Sequence, residues 1–226
     1  MSDPASTHVI ASQTLILAAL TVGESRIPSD VIPHNAPLVA ALRQLGAEIR
    51  RAADGAWVVS GMGVGSLLQP QSALDMGADL TAVTLLMGVL ATHPLTCMMG
   101  GDESLCAIPM GPWIAPLRLT GCEIMASPGE RLPLMLRGLY PAIPIHYSLP
   151  DGGALAGLAI LLAGLNISGE TIVEAPGMSP GSDPDERLLA AAGADIISED
   201  MASGGRRIRL RGPAILRPVD WTRFTV

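Results

Sequence analysis

Lysine is absent from this chain: all 14 basic residues are arginine. A mechanism that needs a lysine ammonium or a Schiff base is therefore excluded for this chain by itself. Aromatic residues are scarce, at 3%, so the core must be built from Ala, Leu, Ile, Val and Met. Charged residues make up only 15% against 49% apolar, a balance that a disordered chain does not have. Long apolar runs are missing too. The longest, Ala154 to Leu165, has 12 residues, short of the roughly 20 a membrane helix needs. The opening MSDPASTHVI has neither the basic start nor the apolar stretch of a secretory signal. The cysteines (Cys97, Cys106, Cys122) are odd in number and lack C-x-x-C spacing, so they read as buried thiols of a cytoplasmic protein. Net charge is −7, which sets the surface against phosphate backbones and excludes nucleic acid as the expected partner.

What is present is an internal repeat. LGAEI, TGCEI and AGADI place glycines at Gly46, Gly121 and Gly193, separated by 75 and 72 residues. VVSG, MLRG and RLRG place a second set at Gly61, Gly138 and Gly212, separated by 77 and 74 residues. Two independent landmarks with nearly the same period define three copies of one unit. Each copy opens with an apolar helix: Ser12 to Leu20, Leu80 to Ala91, and Ala154 to Leu165. These runs are apolar on nearly every side, the mark of a helix buried all round. A short strand follows (GESRI, GETIVEA), then a second helix ending on Gly46, Gly121 or Gly193 as a left-handed cap. Asp183 with Glu186 has the spacing of an N-terminal cap for the last of these. A hairpin closes each unit.

The expected fold is α/β, an inside-out prism of three βαβαββ pseudo-repeats with buried helices and outer sheets. The chain 1–226 is read as one domain, with repeats near 7–62, 63–139 and 140–213 and a C-terminal tail 214–226.

This pattern resembles one lobe of the EPSP (enolpyruvylshikimate phosphate) synthase family. LILAALTVGESRI looks like that family's first helix and strand, and LVAALRQLGAEI like its next helix. LDMGADLTAVTLLMGVLA is similar to LDxGNxGTxxRLLxGLLA, and GDESLCAIPMGPWIAPLRLTGCEI to GDxSLRxRPMxxxxxPLRxxGA. The stretch from Leu149 to Leu189 resembles the segment with SxQxKSALLLAGL and SRDHTERML. The resemblance implies an enolpyruvyl (carboxyvinyl) transferase of the shikimate pathway, acting without a cofactor or metal in a cleft between two lobes. Only one of those lobes is matched here.

The residues that the resemblance would assign to anionic substrates have changed. In place of DKSxSHR the chain reads THVIASQ, so His8 takes the lysine slot and Gln13 the arginine slot. Ala78 and Leu80 replace the family's Asn and Gly, Thr81 is retained, and Thr84 takes an arginine's place. Cys106 and Ile108 replace two more arginines beside a retained Asp102 and Ser104. Gly153, Leu155 and Gly157 stand for Ser, Gln and Lys; Ser182 and Pro184 for Arg and His; Pro33 and His34 for an acidic pair. Each lost cation would have made a charge-assisted hydrogen bond to a polyanionic substrate. Removing one such donor raises a barrier by about 3 kcal/mol.

The substrate-binding candidates carried over are His8, Gln13, Thr81, Asp102 and Ser104; no catalytic residue and no metal ligand is expected. Each has a structural rival. His8 can equally be a polar residue near a mobile N-terminus, Asp102 and Ser104 a turn whose side chains cap amides, and Asp79 with Thr81 a helix cap. Arg207, Arg209 and Arg211 alternate onto one strand face, either a solvated surface or a basic patch for an acidic partner. Leu80, Cys106, Ile108 and Leu155 would convert a charged cleft wall into an apolar one. They are therefore interface candidates for a homo-oligomer or protein partner on the former inter-lobe face. Two functions stand against each other: a binding or assembly lobe that has lost transfer chemistry, and an active transferase or one subunit of a split enzyme.

Overall fold

The computed structural model describes residues 4–31, 35–150, 153–176 and 184–223. The first third of the chain runs α1 (Pro4–Ala19), β1 (Gly23–Ile27), α2 (Ala36–Gln44), β2 (Glu48–Arg51) and β3 (Trp57–Gly61). The second runs β4 (Leu74–Asp75), α3 (Leu80–Leu90), β5 (Thr96–Gly100), α4 (Glu103–Cys106), α5 (Gly111–Arg118), β6 (Glu123–Ser127) and β7 (Arg131–Arg137). The third runs β8 (His146–Ser148), α6 (Ala154–Gly164), β9 (Gly169–Ala175), α7 (Pro184–Ala191), β10 (Asp195–Asp200) and β11 (Arg206–Gly212).

The apolar runs become the centre. Every residue from Ala82 to Leu90 of α3 and from Ala156 to Gly164 of α6 is buried, as is α1 from Ser12 onward. No charged side chain from Asp, Glu, Lys or Arg occurs in α1, α3 or α6, so no carboxylate or guanidinium has to be desolvated to bring them together. The C-terminal ends of α3 and α6 are tied across the core: Asn166 Nδ2 donates to the Thr92 carbonyl at 2.6 Å, and Thr92 Oγ1 to that of Ala163 at 3.3 Å.

Three sheets surround these helices, with strand orders β1-β3-β2, β4-β5-β7-β6 and β8-β9-β11-β10. The last two strands of each form the expected antiparallel hairpin. In the second and third sheets the opening strand pairs in parallel with the next, β4 with β5 and β8 with β9. Contrary to the βαβαββ expectation for every repeat, no strand precedes α1 among the described residues. The segment read as a tail fills that position instead. Asp220 bridges Arg26 of β1 in parallel, and the Arg26 amide donates to the Val219 carbonyl at 3.0 Å. Trp221, only 4% exposed, anchors the segment.

The repeating glycines at the end of β3, β7 and β11 have one steric cause. A Cβ on Gly61 would lie 2.3 Å from the Ala18 carbonyl oxygen, on Gly138 2.0 Å from that of His93, and on Gly212 2.4 Å from that of Gly164. Only glycine lets each last strand pass over the end of its central helix. Just beyond each glycine an amide caps that helix: Met62 to Ala19, Leu139 to Ala91, and Ala214 to Leu165, at 2.9, 3.0 and 2.8 Å.

Candidate functional site

The N-terminal ends of α1 and α3 meet through side chains. Asp79 is the N-cap of α3 and accepts the Ala82 amide at 2.9 Å. The same carboxylate receives His8 Nε2 at 3.0 Å. His8 is thus in a helix and partnered across 71 residues, which corrects its reading as a residue of a mobile terminus. Thr81 sits half-buried in the first turn of α3 behind Asp79. Gly77 amide binds Asp75 Oδ1, and Gly77 carbonyl accepts the Asp102 amide at 2.8 Å, so the segments carrying Asp75, Asp79 and Asp102 lie together at this end.

Asp102 and Ser104 behave as capping groups. What reads in sequence as a turn over 102–104 is the N-cap and first residues of α4. Asp102 Oδ1 accepts the Leu105 amide at 2.9 Å and the Ser104 hydroxyl at 2.7 Å. These bonds, Leu105 first, hold the Asp102 carboxyl below the usual carboxylate range. The Cys106 thiol donates to the Gly101 carbonyl at 3.3 Å. Leu80, Cys106, Ile108 and Leu155 are half-buried and rest against the core.

Gln13, in the arginine slot, is fully buried, and its Nε2 donates to the Asp185 carbonyl in the first turn of α7 at 2.7 Å. It joins two helices. Its Oε1 and the Oγ1 of Thr84, also fully buried, find no hydrogen-bond partner among the described residues. Pro184 starts α7. Pro33, His34, Ser182 and Asp183, and with them the capping reading of Asp183 with Glu186, lie outside the described residues.

The arginine strand is not an open basic patch. In β11 Arg207 pairs with Glu174 at 2.8 Å and Arg209 with Glu199 at 2.6 Å, while Arg211 stands between Asp195 and Glu170 in register. Arg207 and then His146 hold Glu174 below the usual carboxylate range. Arg206 points the other way and makes a buried bidentate pair with Glu186 at 2.8 and 2.9 Å. The strict alternation of β11 carries the signal for that inward arginine, but its helical partner lies 20 residues earlier.

His93 is a buried strut, its Nε2 accepting the Gly65 amide at 3.0 Å and its Nδ1 lying 2.8 Å from the Val89 carbonyl. Burial pushes the Cys97 thiol up to about 12 and raises Cys122 as well, so neither is a thiolate at neutral pH. No group of three His, Cys, Asp or Glu among the described residues could hold a metal ion, and no described helix is long and apolar enough to cross a membrane. A recess of about 450 Å³ lies at the far end of α3, lined among others by Gln69, Thr96, Glu123, Arg137 and Tyr140. It is remote from the helix N-termini.

Central helices sheathed by three sheets of one topology, with a pole of helix N-termini, define a lobe of the inside-out α/β type. The family profile for EPSP synthase (3-phosphoshikimate 1-carboxyvinyltransferase) matches residues 4–222, and the chain belongs to that family. The 3-phosphoshikimate 1-carboxyvinyltransferase of Novosphingobium aromaticivorans is 49% identical over 216 residues, covering 93% of this chain and 48% of the relative. That of Zymomonas mobilis is 47% identical over 210 residues, covering 92% and 46%. A solved EPSP synthase from Acinetobacter baumannii superposes with TM-score 0.80 at 29% identity, over 96% of this chain and 47% of that one. The chain spans about half the length of the curated relatives it matches.

Proposed function

We propose that this lobe does not carry out enolpyruvyl transfer and acts as a binding or assembly element that keeps the family scaffold. The observation that carries this is the fate of the substituted slots. Where the resemblance expects cations, His8 is engaged by Asp79, Gln13 by the α7 backbone, and Cys106 by Gly101. Helix N-termini attract anions through their free amides. Here Asp79, at a position the family motif leaves open, occupies the cap of α3 with negative charge of the chain's own. A phosphorylated acid and phosphoenolpyruvate would meet a carboxylate at the α3 N-terminus and neutral side chains in the slots where the resemblance expects positive donors.

The partner we assign to this end is a second copy or another protein, docking over Leu80, Cys106, Ile108 and Leu155. The purified chain is assayed with 3-phosphoshikimate and phosphoenolpyruvate, and by light scattering with and without Leu80→Glu. No turnover, and an association that Leu80→Glu abolishes, are expected. Turnover above the uncatalysed background overturns the loss of chemistry, and a strict monomer that captures no partner through this end overturns the docking role.

A further inference from the structure

The middle sheet carries a row that the other two sheets do not. Met98 of β5 stands directly opposite Met135 of β7, and Met135 directly opposite Met125 of β6. Directly opposed residues share a face of the sheet, so these three thioethers line up across three adjacent strands. The face is the outer one: Met98 is 55% and Met125 65% exposed, with Met135 half-buried between them. Met76, Met87, Met99 and Met110, by contrast, are fully buried core residues.

The threefold repeat supplies an internal control. Counting back three residues from Gly138, Gly212 and Gly61 reaches the same rung of each sheet. That rung reads Met98-Met135-Met125 in the second, Ile172-Arg209-Ile197 in the third and Arg26-Val58-Arg50 in the first. The fold therefore accepts charged or branched residues there, and a row of three methionines is not a packing requirement. The next rung is polar in all three sheets; in the middle one it holds Thr96, Arg137 and Glu123, with Glu123 drawn to Arg137 at 3.8 Å.

We propose that Met98, Met135 and Met125 form a thioether site for a soft monovalent cation of the copper(I) class. Opposed Cβ atoms across a strand pair are ~5 Å apart, so the outer two arms stand ~10 Å apart with the third between them. Methionine is unbranched and flexible, which lets the outer sulfurs lean inward over Met135. Thioether ligands select copper(I) over zinc and over hard oxygen-seeking cations. The rung itself offers no carboxylate or imidazole to compete.

The test uses the whole chain, anaerobically, titrated with copper(I) buffered by bicinchoninate, with zinc(II) as the borderline control. One copper(I) per chain and no zinc are expected. Met98→Leu and Met125→Leu, both at exposed positions that tolerate an apolar side chain, should each weaken copper(I) by at least about tenfold, the smallest loss usual even for an outer-shell partner. Cys106→Ala should leave it unchanged. Binding that survives both methionine variants, or disappears with Cys106→Ala, overturns the site. So does an absence of copper(I) binding in a chain whose association is broken by Met98→Asp, which makes the row a protein contact instead.

Discussion

The backbone of Gly88 in α3 lies against that of Ala159 in α6: a Cβ on Gly88 would stand 2.2 Å from the Ala159 carbonyl oxygen. The obstacle is main chain and cannot rotate away. Gly88→Ala therefore has to push two central helices apart where both are buried, and a loss of about 3 kcal/mol is expected, the upper end of ordinary overpacking. The measurement is the urea midpoint at unchanged slope; a midpoint equal to that of the parent chain refutes the close approach.

The buried pair of Arg206 and Glu186 joins the third sheet to α7, with side chains only 6% and 10% exposed. Removing one partner leaves a charge without compensation in the interior. Arg206→Met should cost about 3–5 kcal/mol, and Arg206→Met with Glu186→Leu should recover much of that. Chemical denaturation of the two variants separates these outcomes; equal losses would mean that the pair's charge balance is not what matters.

Stability should fall on mild acidification because of His93. Desolvation by burial lowers its pKa below 6.5, outweighing the opposing Val89 hydrogen bond. The unfolded chain then binds a proton that the folded chain resists. The stabilisation is complete above the unfolded value and is lost as pH falls through the lowered folded one. Melting temperatures from pH 7 downward should drop less steeply in His93→Gln than in the parent; parallel curves would remove His93 from the account.

The closing segment predicts a local effect. Trp221→Ala should cost about 3–5 kcal/mol for a buried tryptophan. It should also speed hydrogen exchange at the Arg26 amide, which donates to Val219, more than at amides of the second and third sheets. Uniform acceleration across all three sheets would contradict a role confined to the first.

Much of this architecture is legible in the sequence, because its strongest signals are local. The apolar runs announce buried helices through their lack of any polar face, and Gly46, Gly121 and Gly193 stand where left-handed caps with φ of 105°, 92° and 94° occur. Asp102 was readable as a cap since its target amide lies three residues on. The pairs that escape reading are distant in sequence. His8 and Asp79 are 71 residues apart, Gln13 and Asp185 172, and each single residue looks unremarkable by itself. The parallel edge at Val219 and Asp220 escaped for another reason: one bridge beside Pro218 leaves no alternation to detect.

That edge also sets an order of assembly during synthesis. A chain emerging from the ribosome can close its second and third sheets from strands made in succession. The first sheet waits for residues about 190 positions later, since Arg26 pairs with Asp220. The N-terminal third of this chain is thus completed only by its C-terminal segment, and until then β1 presents an open edge to whatever strand it meets.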